Sequence, residues 1–227
     1  MARYLIIGAS SGIGLSLAQL LSENHQVINI SRTEAPFSHP NFTQYSVDVQ
    51  SDQAEFPAID GIDGLAFCPG SINLKPFHRL SMDDFTADWN LNFLAAVKVL
   101  QYYYPSMKKS RKASVVLFST VAVQRGMPFH ASIAGAKGAI EGLTRSLAAE
   151  WAPIIRVNAI APSLTDTPMS QGLLNTDAKK QSSIDRHPLK RIGTPQDGAE
   201  AAAWLLSDVS SWVSGQVIHV DGGLSVI

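Results

Sequence analysis

Cysteine, net charge and long apolar runs are all scarce in this sequence. The single cysteine, Cys68, has no second thiol with which to form an internal disulfide, and no Cys/His spacing typical of a zinc site is present. A formal net charge of -1 gives no electrostatic basis for binding nucleic acid or an anionic membrane. No segment approaches the roughly 20 apolar residues of a membrane-spanning helix, and the N-terminal residues lack the basic region and long apolar stretch of a signal peptide. We therefore expect a cytoplasmic protein with no metal, nucleic-acid or membrane partner.

The hydrophobic residues, 45% of the 227, form short apolar runs that alternate with longer helical patterns. This alternation is typical of βαβ units, which build a parallel sheet with helices on both faces. Seven strands are predicted, at Tyr4–Ile7, Gln26–Ser31, Gln44–Val47, Gly64–Cys68, Ser114–Ser119, Arg156–Ile160 and Gln216–Val220. The predicted helices are Ile13–Glu23, Met82–Lys109, Ala131–Glu150 and Gln196–Leu206. No repeat or linker divides the chain, so we expect a single α/β domain with a doubly wound seven-stranded parallel sheet.

A glycine-rich turn joins the first predicted strand to the first helix. Gly8, Gly12 and Gly14 would let the backbone turn tightly and approach a pyrophosphate, whose charge would meet the first N–H groups of the helix. The glycine spacing alone is common, and its position between a strand and an amphipathic helix is what favours dinucleotide binding. The alternative is a tight βα turn without a ligand. The turn predicts a Rossmann fold that binds a nicotinamide dinucleotide.

The end of the second predicted strand indicates which dinucleotide is bound. NAD sites usually carry a carboxylate here, which accepts the ribose 2′-hydroxyl. This chain has Ser31 and Arg32 instead, and a guanidinium suits the 2′-phosphate of NADP. Glu34 follows closely and could fold back to serve NAD, and an exposed loop cation is the alternative interpretation of Arg32. We predict NADP(H).

Longer motifs resemble those of the short-chain dehydrogenase/reductase family over nearly the whole chain. GASSGIG at 8–14 is similar to the family's cofactor turn, and IRVNAIAPSLTDTPM at 155–169 to its sixth strand and the loop that reaches the nicotinamide. HPLKRIGTPQD and SGQVIHVDGG resemble its last helix and strand. The resemblance implies cofactor contacts at Gly8, Ser10, Ser11, Gly12, Ile13, Gly14, Ser31, Arg32, Asp48, Val49, Gly70, Lys137, Pro162 and Thr167.

The chain departs from the family pattern in its binding segments. Phe67-Cys68-Pro69-Gly70 stands where the family has Asn-Asn-Ala-Gly, so the asparagine side chains that would contact the adenosine are missing. Ser163 stands where the family has the glycine of a Pro-Gly pair. The span from Asp48 to Gly70 is short, which predicts that the third helix is reduced to a turn or two around Ala54.

The largest departure lies in the catalytic residues that the resemblance implies. The family's serine aligns with Thr120 and its lysine with Lys137, but its tyrosine aligns with Ile133, which has no proton to give. Asn92 resembles the family's asparagine, which would hold a water linked to the lysine, and Asn90 is the competing position.

Several groups could replace the tyrosine. His130 lies seven residues before Lys137, on nearly the same helical face, and histidine titrates near neutrality. Loop packing is the alternative role for His130. Ser132 and a water between Thr120 and Lys137 are further candidates. The consecutive tyrosines 102–104 cannot all face one site, so we expect them to pack in the core or an interface.

Two functions follow. The first is an NADP(H)-dependent oxidoreductase acting on a small, apolar carbonyl compound or its alcohol, with an atypical proton donor. The second is a non-enzymatic NADP(H)-binding sensor or assembly protein. A broken, polar stretch at 168–188 is expected to form a substrate flap. An apolar stripe on the helix 82–109 and the small residues of the helix 131–150 predict a homodimer or homotetramer; the stripe comprises Phe93, Val97, Leu100 and Tyr104.

Overall fold

Seven parallel strands form one sheet in the computed structural model, which describes residues 1–227. The strands are β1 (Arg3–Ile7), β2 (Gln26–Ser31), β3 (Phe42–Ser46), β4 (Gly64–Phe67), β5 (Ala113–Phe118), β6 (Ile155–Pro162) and β7 (Val217–Val220). They lie in the order β3-β2-β1-β4-β5-β6-β7. The predicted fold class and number of strands are confirmed, with β3 beginning two residues earlier than expected. The chain builds the sheet outward from β1 in one direction through β3, and then from β4 in the other direction. The switch point between β1 and β4 is where such sheets bind ligands.

Both faces of the sheet are buried because its strands carry apolar residues on alternate sides. In β1, Leu5 and Ile7 join one hydrophobic core, and Tyr4 and Ile6 join the other. A strand that is covered on both faces has no polar side, which explains the continuous apolar runs in the sequence.

Helices cover the two faces in pairs. The helices are α1 (Gly12–Ser22), α2 (Met82–Trp89), α3 (Ala95–Ser110), α4 (Ala122–Arg125), α5 (Ala131–Trp151), α6 (Asp177–Arg186) and α7 (Pro195–Leu206). The helices α3 and α5 pack on one core, and α1 and α7 on the other. The predicted start of α7 is confirmed, since Thr194 caps it and Pro195 takes its first position. No helix combines the length and the apolar character needed to cross a bilayer.

The helix predicted over 82–109 is interrupted by one π-helical segment, Asn90–Leu94, which separates α2 from α3. The Ala95 N–H bonds the carbonyl of Asn90 five residues back, so this turn contains one residue more than an α-helical turn. The extra residue buries Asn92, while Asn90 stays exposed.

Three other predicted segments differ in detail. Residues 48–54 form two hydrogen-bonded turns, closed by Ser51 N–H on Asp48 and Ala54 N–H on Ser51, and no helix. The stretch 168–188 is more regular than expected, because it contains a 3-10 helix, Pro168–Leu173, and α6. The expected apolar surface stripe is wrong at Leu100, which is buried in the core because α3 turns that side toward the sheet, and Phe93 and Tyr104 pack partly against the same core.

Candidate active site

A cavity of about 980 Å³ lies beyond the carboxyl ends of the strands, around the switch point between β1 and β4. All fourteen residues that we expected to contact the cofactor line it. Thr120, His130 and Ile133 line it too, whereas Asn92 lies behind its wall. The volume is at the upper end of the range for small-molecule sites. No group of three or more His, Cys, Asp or Glu side chains is arranged to hold a metal ion.

The backbone of the glycine-rich turn lies so close to neighbouring atoms that a side chain at its glycines would contact or overlap them. Gly8 has a φ of 84°, which favours glycine, and a Cβ there would lie 3.2 Å from the Pro69 ring. A Cβ on Gly14 would lie 2.3 Å from the Gly8 carbonyl oxygen, so only glycine lets α1 approach β1 this closely. A Cβ on Gly12 would lie 3.3 Å from Thr167 Cγ2. The turn therefore meets the loop after β6 across the cavity.

The N-terminus of α1 has the character of an anion site. Its N-cap residue, Ser11, makes no side-chain hydrogen bond to the helix, whereas α2, α6 and α7 are each capped by a serine or threonine side chain. The first N–H groups of α1 are thus left for another acceptor, and they point where a pyrophosphate would meet the helix dipole. The uncapped N-terminus of α1 therefore fits the pyrophosphate of a dinucleotide.

The residues at the end of β2 form the other end of the cavity. Arg32 is exposed, forms no ion pair and lines the cavity, whereas Glu34 does not line it. The Ser31 hydroxyl donates to the Thr33 carbonyl at 2.7 Å and so has only acceptor capacity left. Asp48 lies beyond the end of the neighbouring strand β3, where its Oδ1 accepts the Gln50 N–H at 3.0 Å. A free guanidinium here is positioned to meet an anionic group.

Lys137 brings a buried ammonium group into the cavity from α5. Burial lowers the pKa of Lys137 to about 8, against the opposing effects of Cys68 and Asp88. Burial also raises the pKa of the Cys68 thiol to about 12, so that thiol is neutral at pH 7. No protein acceptor lies within hydrogen-bond distance of Lys137 Nζ, and a Cβ on Gly70 would lie 3.6 Å from it. The ammonium is therefore available to a ligand that passes Gly70.

A hydrogen-bond network of α2, the π-helical segment and the loop after β4 supports this wall. The Asn92 side chain donates to Ser71 Oγ and to the Asp88 carbonyl, both at 2.9 Å, and its Oδ1 accepts the Ser71 N–H at 3.3 Å. Ser71 Oγ donates to Asp88 Oδ1 at 2.7 Å, while Asp88 Oδ2 is buried without a partner. Of the two candidate asparagines, Asn92 is the one in contact with the site.

The expected proton donors have different surroundings. His130 lines the cavity at the start of α5, and its Nδ1 lies 2.7 Å from the Pro128 carbonyl, a contact that fits loop packing. Ser132 is buried and donates to the Asp84 carbonyl at 3.3 Å, outside the cavity. Thr120 lines the cavity, with its Oγ1 accepting the Ala122 N–H at 3.3 Å.

The three consecutive tyrosines of α3 all lie away from the cavity. The hydroxyl groups of Tyr102 and Tyr103 donate to the carbonyls of Phe56 and Pro57, and Tyr104 packs on Trp151. Their expected packing role is confirmed, and none of the three side chains lines the cavity.

Two features of the site escaped the sequence analysis. Asp88 lies four residues before Asn92 on a helix, a spacing that could have suggested a contact. Ser163 and His187 are also hydrogen-bonded at the cavity wall, with 2.9 Å between Oγ and Nε2. No local signal relates these two residues, which are 24 positions apart.

Comparison with known proteins finds the same fold and related sequences. Residues 8–225 match the family model described as Enoyl-(Acyl carrier protein) reductase. A 2,5-dichloro-2,5-cyclohexadiene-1,4-diol dehydrogenase of Sphingobium indicum is 31% identical over 243 residues, covering 98% of this chain and 96% of that protein.

Solved structures of related proteins have the same fold over nearly the whole chain. A short chain dehydrogenase family protein from Francisella tularensis is similar with a TM-score of 0.91 and 27% identity, over 100% of both chains. The structure of ElxO with NADP bound has a TM-score of 0.88 and 25% identity, over 98% of each chain.

Proposed function

Since the chain belongs to the short-chain dehydrogenase/reductase family, we propose that it is an NADP(H)-dependent enzyme with an atypical proton donor. Family membership makes it an oxidoreductase that acts on alcohol or carbonyl substrates with a nicotinamide cofactor. The more specific proposal is that it reduces a small apolar carbonyl compound, or oxidises the alcohol, without a catalytic tyrosine. One observation carries it: the buried ammonium of Lys137 shares a cavity with Thr120 and with the apolar side chain of Ile133.

Carbonyl reduction needs hydride at the carbon, a hydrogen bond to the developing oxyanion and a proton. The nicotinamide supplies or accepts the hydride when it is bound. In our proposal the open N-terminus of α1 holds the pyrophosphate and Arg32 holds the 2′-phosphate. Lys137 binds the nicotinamide ribose, and Asn92 fixes the wall beside it. Thr120 donates a hydrogen bond to the substrate oxygen. Ile133 is only 5% exposed and contributes no proton.

The proposed substrate is small and apolar because hydrophobic side chains line the catalytic end of the cavity. Besides Ile133, these are Ile72, Leu74, Met127, Phe129, Met169 and Leu173. Quinones, conjugated enones and β-dicarbonyls have this character. We further propose that residues 168–188 act as the substrate flap of a single 227-residue domain, since Met169 and Leu173 belong to that stretch.

Oxidation of NADPH by wild type and by I133Y tests the proposed function. We expect wild type to oxidise NADPH with members of a panel of apolar carbonyls and quinones, because Thr120 and Lys137 are retained. The measurement is the fall in absorbance at the reduced nicotinamide band, with cofactor binding determined separately by fluorescence. Binding without turnover by wild type, together with activity in I133Y alone, would instead establish the alternative function, a cofactor-binding sensor or assembly protein.

The preference for NADP(H) rests on Arg32. We expect R32A to weaken NADPH binding by about 10-fold or more, the loss of one charge-assisted contact of roughly 1.5–3 kcal/mol. NADH binding should change by less than about twofold, since NADH lacks the 2′-phosphate. Fluorescence titration of both cofactors measures this, and R125A is a matched control at an exposed arginine outside the cavity. Equal losses for both cofactors in R32A would contradict the assignment.

We also propose a homo-oligomer that pairs α3 and α5 across a two-fold axis. Gly135 and Gly142 are exposed on one side of α5, and a Cβ on either would meet no atom within 4 Å. These positions allow a second backbone to approach closely. Sedimentation of wild type beside a G135R/G142R variant tests the pairing, which predicts a dimer or tetramer for wild type and monomer for the variant.

A further inference from the structure

A buried histidine is hydrogen-bonded to a serine at the wall of the cavity. His187 is 2% exposed, and its Nδ1 lies 2.6 Å from the Ser183 carbonyl oxygen. A carbonyl can only accept, so Nδ1 carries the hydrogen and, in the neutral ring, Nε2 is an acceptor. Nε2 lies 2.9 Å from Ser163 Oγ, which therefore donates its proton to the imidazole. The pair is a serine hydroxyl with a positioned base behind it, the arrangement that makes a hydroxyl competent in proton transfer.

The strand pairing brings Ser163 to the strand end beside Val121, the residue that follows Thr120. Beyond the paired ends of β5 and β6, Ser119 N–H donates to the Ile160 carbonyl at 2.7 Å and Val121 N–H to the Pro162 carbonyl at 3.2 Å. Thr120 and Ser163 thus lie on neighbouring strand ends, and both line the cavity. A substrate oxygen that accepts a hydrogen bond from Thr120 therefore lies in the cavity that Ser163 also lines.

Three parts of the chain fix the pair. The Ser163 N–H donates to the Val220 carbonyl at 3.3 Å, at the end of β7. His187 follows α6, and a Cβ on Gly222 would lie 3.7 Å from its Cδ2. The imidazole therefore has little freedom, whereas His130 is only half-buried and its Nδ1 hydrogen bond is to the Pro128 carbonyl two residues away. Of the two histidines at the cavity, only His187 is coupled to a hydroxyl.

We propose that Ser163 gives the substrate oxygen its proton and that His187 replaces it, in the role that tyrosine would otherwise fill. This inference rests on the proposed oxidoreductase function. In the reducing direction His187 begins as the imidazolium, with Nε2–H directed at Ser163 Oγ. With NADPH bound, the carbonyl carbon would gain a hydride, the C=O π electrons would move to oxygen, and that oxygen would take the Ser163 hydroxyl proton. Ser163 Oγ takes the Nε2 proton in the same step, and neutral His187 is reprotonated by solvent.

The balance is one NADPH, one carbonyl and one proton consumed, with one NADP⁺ and one alcohol formed. In the oxidising direction the steps reverse. Ser163 Oγ then accepts the alcohol proton as its own moves to Nε2. The Ser183 carbonyl accepts the Nδ1–H throughout and so keeps Nε2 directed at Ser163. Ser163 is thus the catalytic residue of the pair, and His187 is a positioning residue that acts through it.

Five variants test the relay in steady-state reduction with NADPH. S163G removes the hydroxyl, and H187Q keeps an acceptor but cannot hold the proton. H130Q changes the other histidine at the cavity, H78Q is a control at an exposed histidine outside it, and S163G/I133Y restores a tyrosine. We expect kcat to fall by about 100-fold or more in S163G and in H187Q, the usual contribution of a general acid, with KM changed less than threefold. H78Q should match wild type. The solvent deuterium isotope effect on kcat should change in S163G, and S163G/I133Y should regain turnover.

A measurement without cofactor tests the hydrogen bonds themselves. Histidine-ring NMR of the protein alone should show His187 as the Nδ1–H tautomer, with an Nε2 resonance that shifts in S163G. The Nε2–H tautomer for His187 would overturn the proposal. So would wild-type turnover that survives in S163G and H187Q, or a larger loss in H130Q than in H187Q, and both results leave the oxidoreductase function intact. Cofactor binding without wild-type turnover overturns both proposals.

Discussion

Replacing Lys137 by methionine is expected to abolish turnover while making the protein more stable. The charged ammonium of Lys137 is the group proposed to bind the nicotinamide ribose, so its removal should lower kcat by about 100-fold or more, as loss of a preorganised donor does. The same ammonium is buried, and burial lowers the pKa of Lys137 from 10.5 to about 8. Holding that charge in the fold therefore costs on the order of 3 kcal/mol at pH 7, which K137M should recover.

The sign of this effect gives it a distinctive pH dependence. Between pH 8 and 10.5 Lys137 is neutral in the folded chain and still charged in the unfolded chain. The unfolded state then binds more protons, so the free energy of unfolding of wild type rises with pH through this window relative to K137M. The difference in free energy of unfolding between wild type and K137M should be largest below pH 8 and should vanish by about pH 10.5.

Urea unfolding of wild type and K137M from pH 7 to 10.5 measures this difference, and NADPH oxidation measures the turnover. K108M is the control, because Lys108 is an exposed lysine on α3 outside the cavity. Its free energy of unfolding should stay within about 0.5 kcal/mol of wild type at every pH. A K137M protein that is less stable than wild type at pH 7 would contradict this account of the buried ammonium.

Replacing Gly14 by alanine is expected to weaken both the fold and the cofactor site. The added Cβ would lie 2.3 Å from the Gly8 carbonyl oxygen and 3.2 Å from Cys68 Cβ, so α1 must move away from β1. Overpacking of this kind costs about 1–3 kcal/mol. Because the N–H groups that meet the pyrophosphate move with α1, NADPH binding should weaken by about 10-fold or more.

Thermal unfolding and fluorescence titration of G14A measure the two losses. The control for stability is G172A, since a Cβ on Gly172 would meet no atom within 4 Å. G172A should unfold within a few degrees of wild type. If G14A binds NADPH as wild type does, the close approach of α1 to β1 is not what shapes the phosphate site.

The sheet and the phosphate turn were predictable because their signals are local. Continuous apolar runs such as Tyr4–Ile7 mark buried strands, and glycine between a strand and a helix marks a turn that only glycine permits. The positions of Thr120, Lys137 and Ile133 also followed from sequence, since strand end and helix each fix their own residues. All three line the cavity that the sequence predicted.

The parts that escaped prediction depend on contacts between distant segments. The Ser163–His187 hydrogen bond forms only because residues after α6 return to the end of β6. Periodicity alone placed Leu100 on the surface, since an apolar stripe looks the same whether a sheet or a second copy covers it. The helix α6 was missed because it is polar and rests on the Thr176 cap and its own hydrogen bonds rather than on an apolar face.

The π-helical segment at Asn90–Leu94 constrains how this chain can change in length. An α-helix advances by about 100° per residue, so deleting one residue from the segment would turn all of α3 by that angle relative to α2. Either Asn92 would leave the network beside Lys137, or Tyr103 and Met107, both fully buried, would rotate out of the core. Because of the single extra residue, Asn92 can face the site while Tyr103 and Met107 face the core, which an uninterrupted α-helix would not allow. A change of one residue in the length of this helix would therefore disturb either the site at one end or the core at the other.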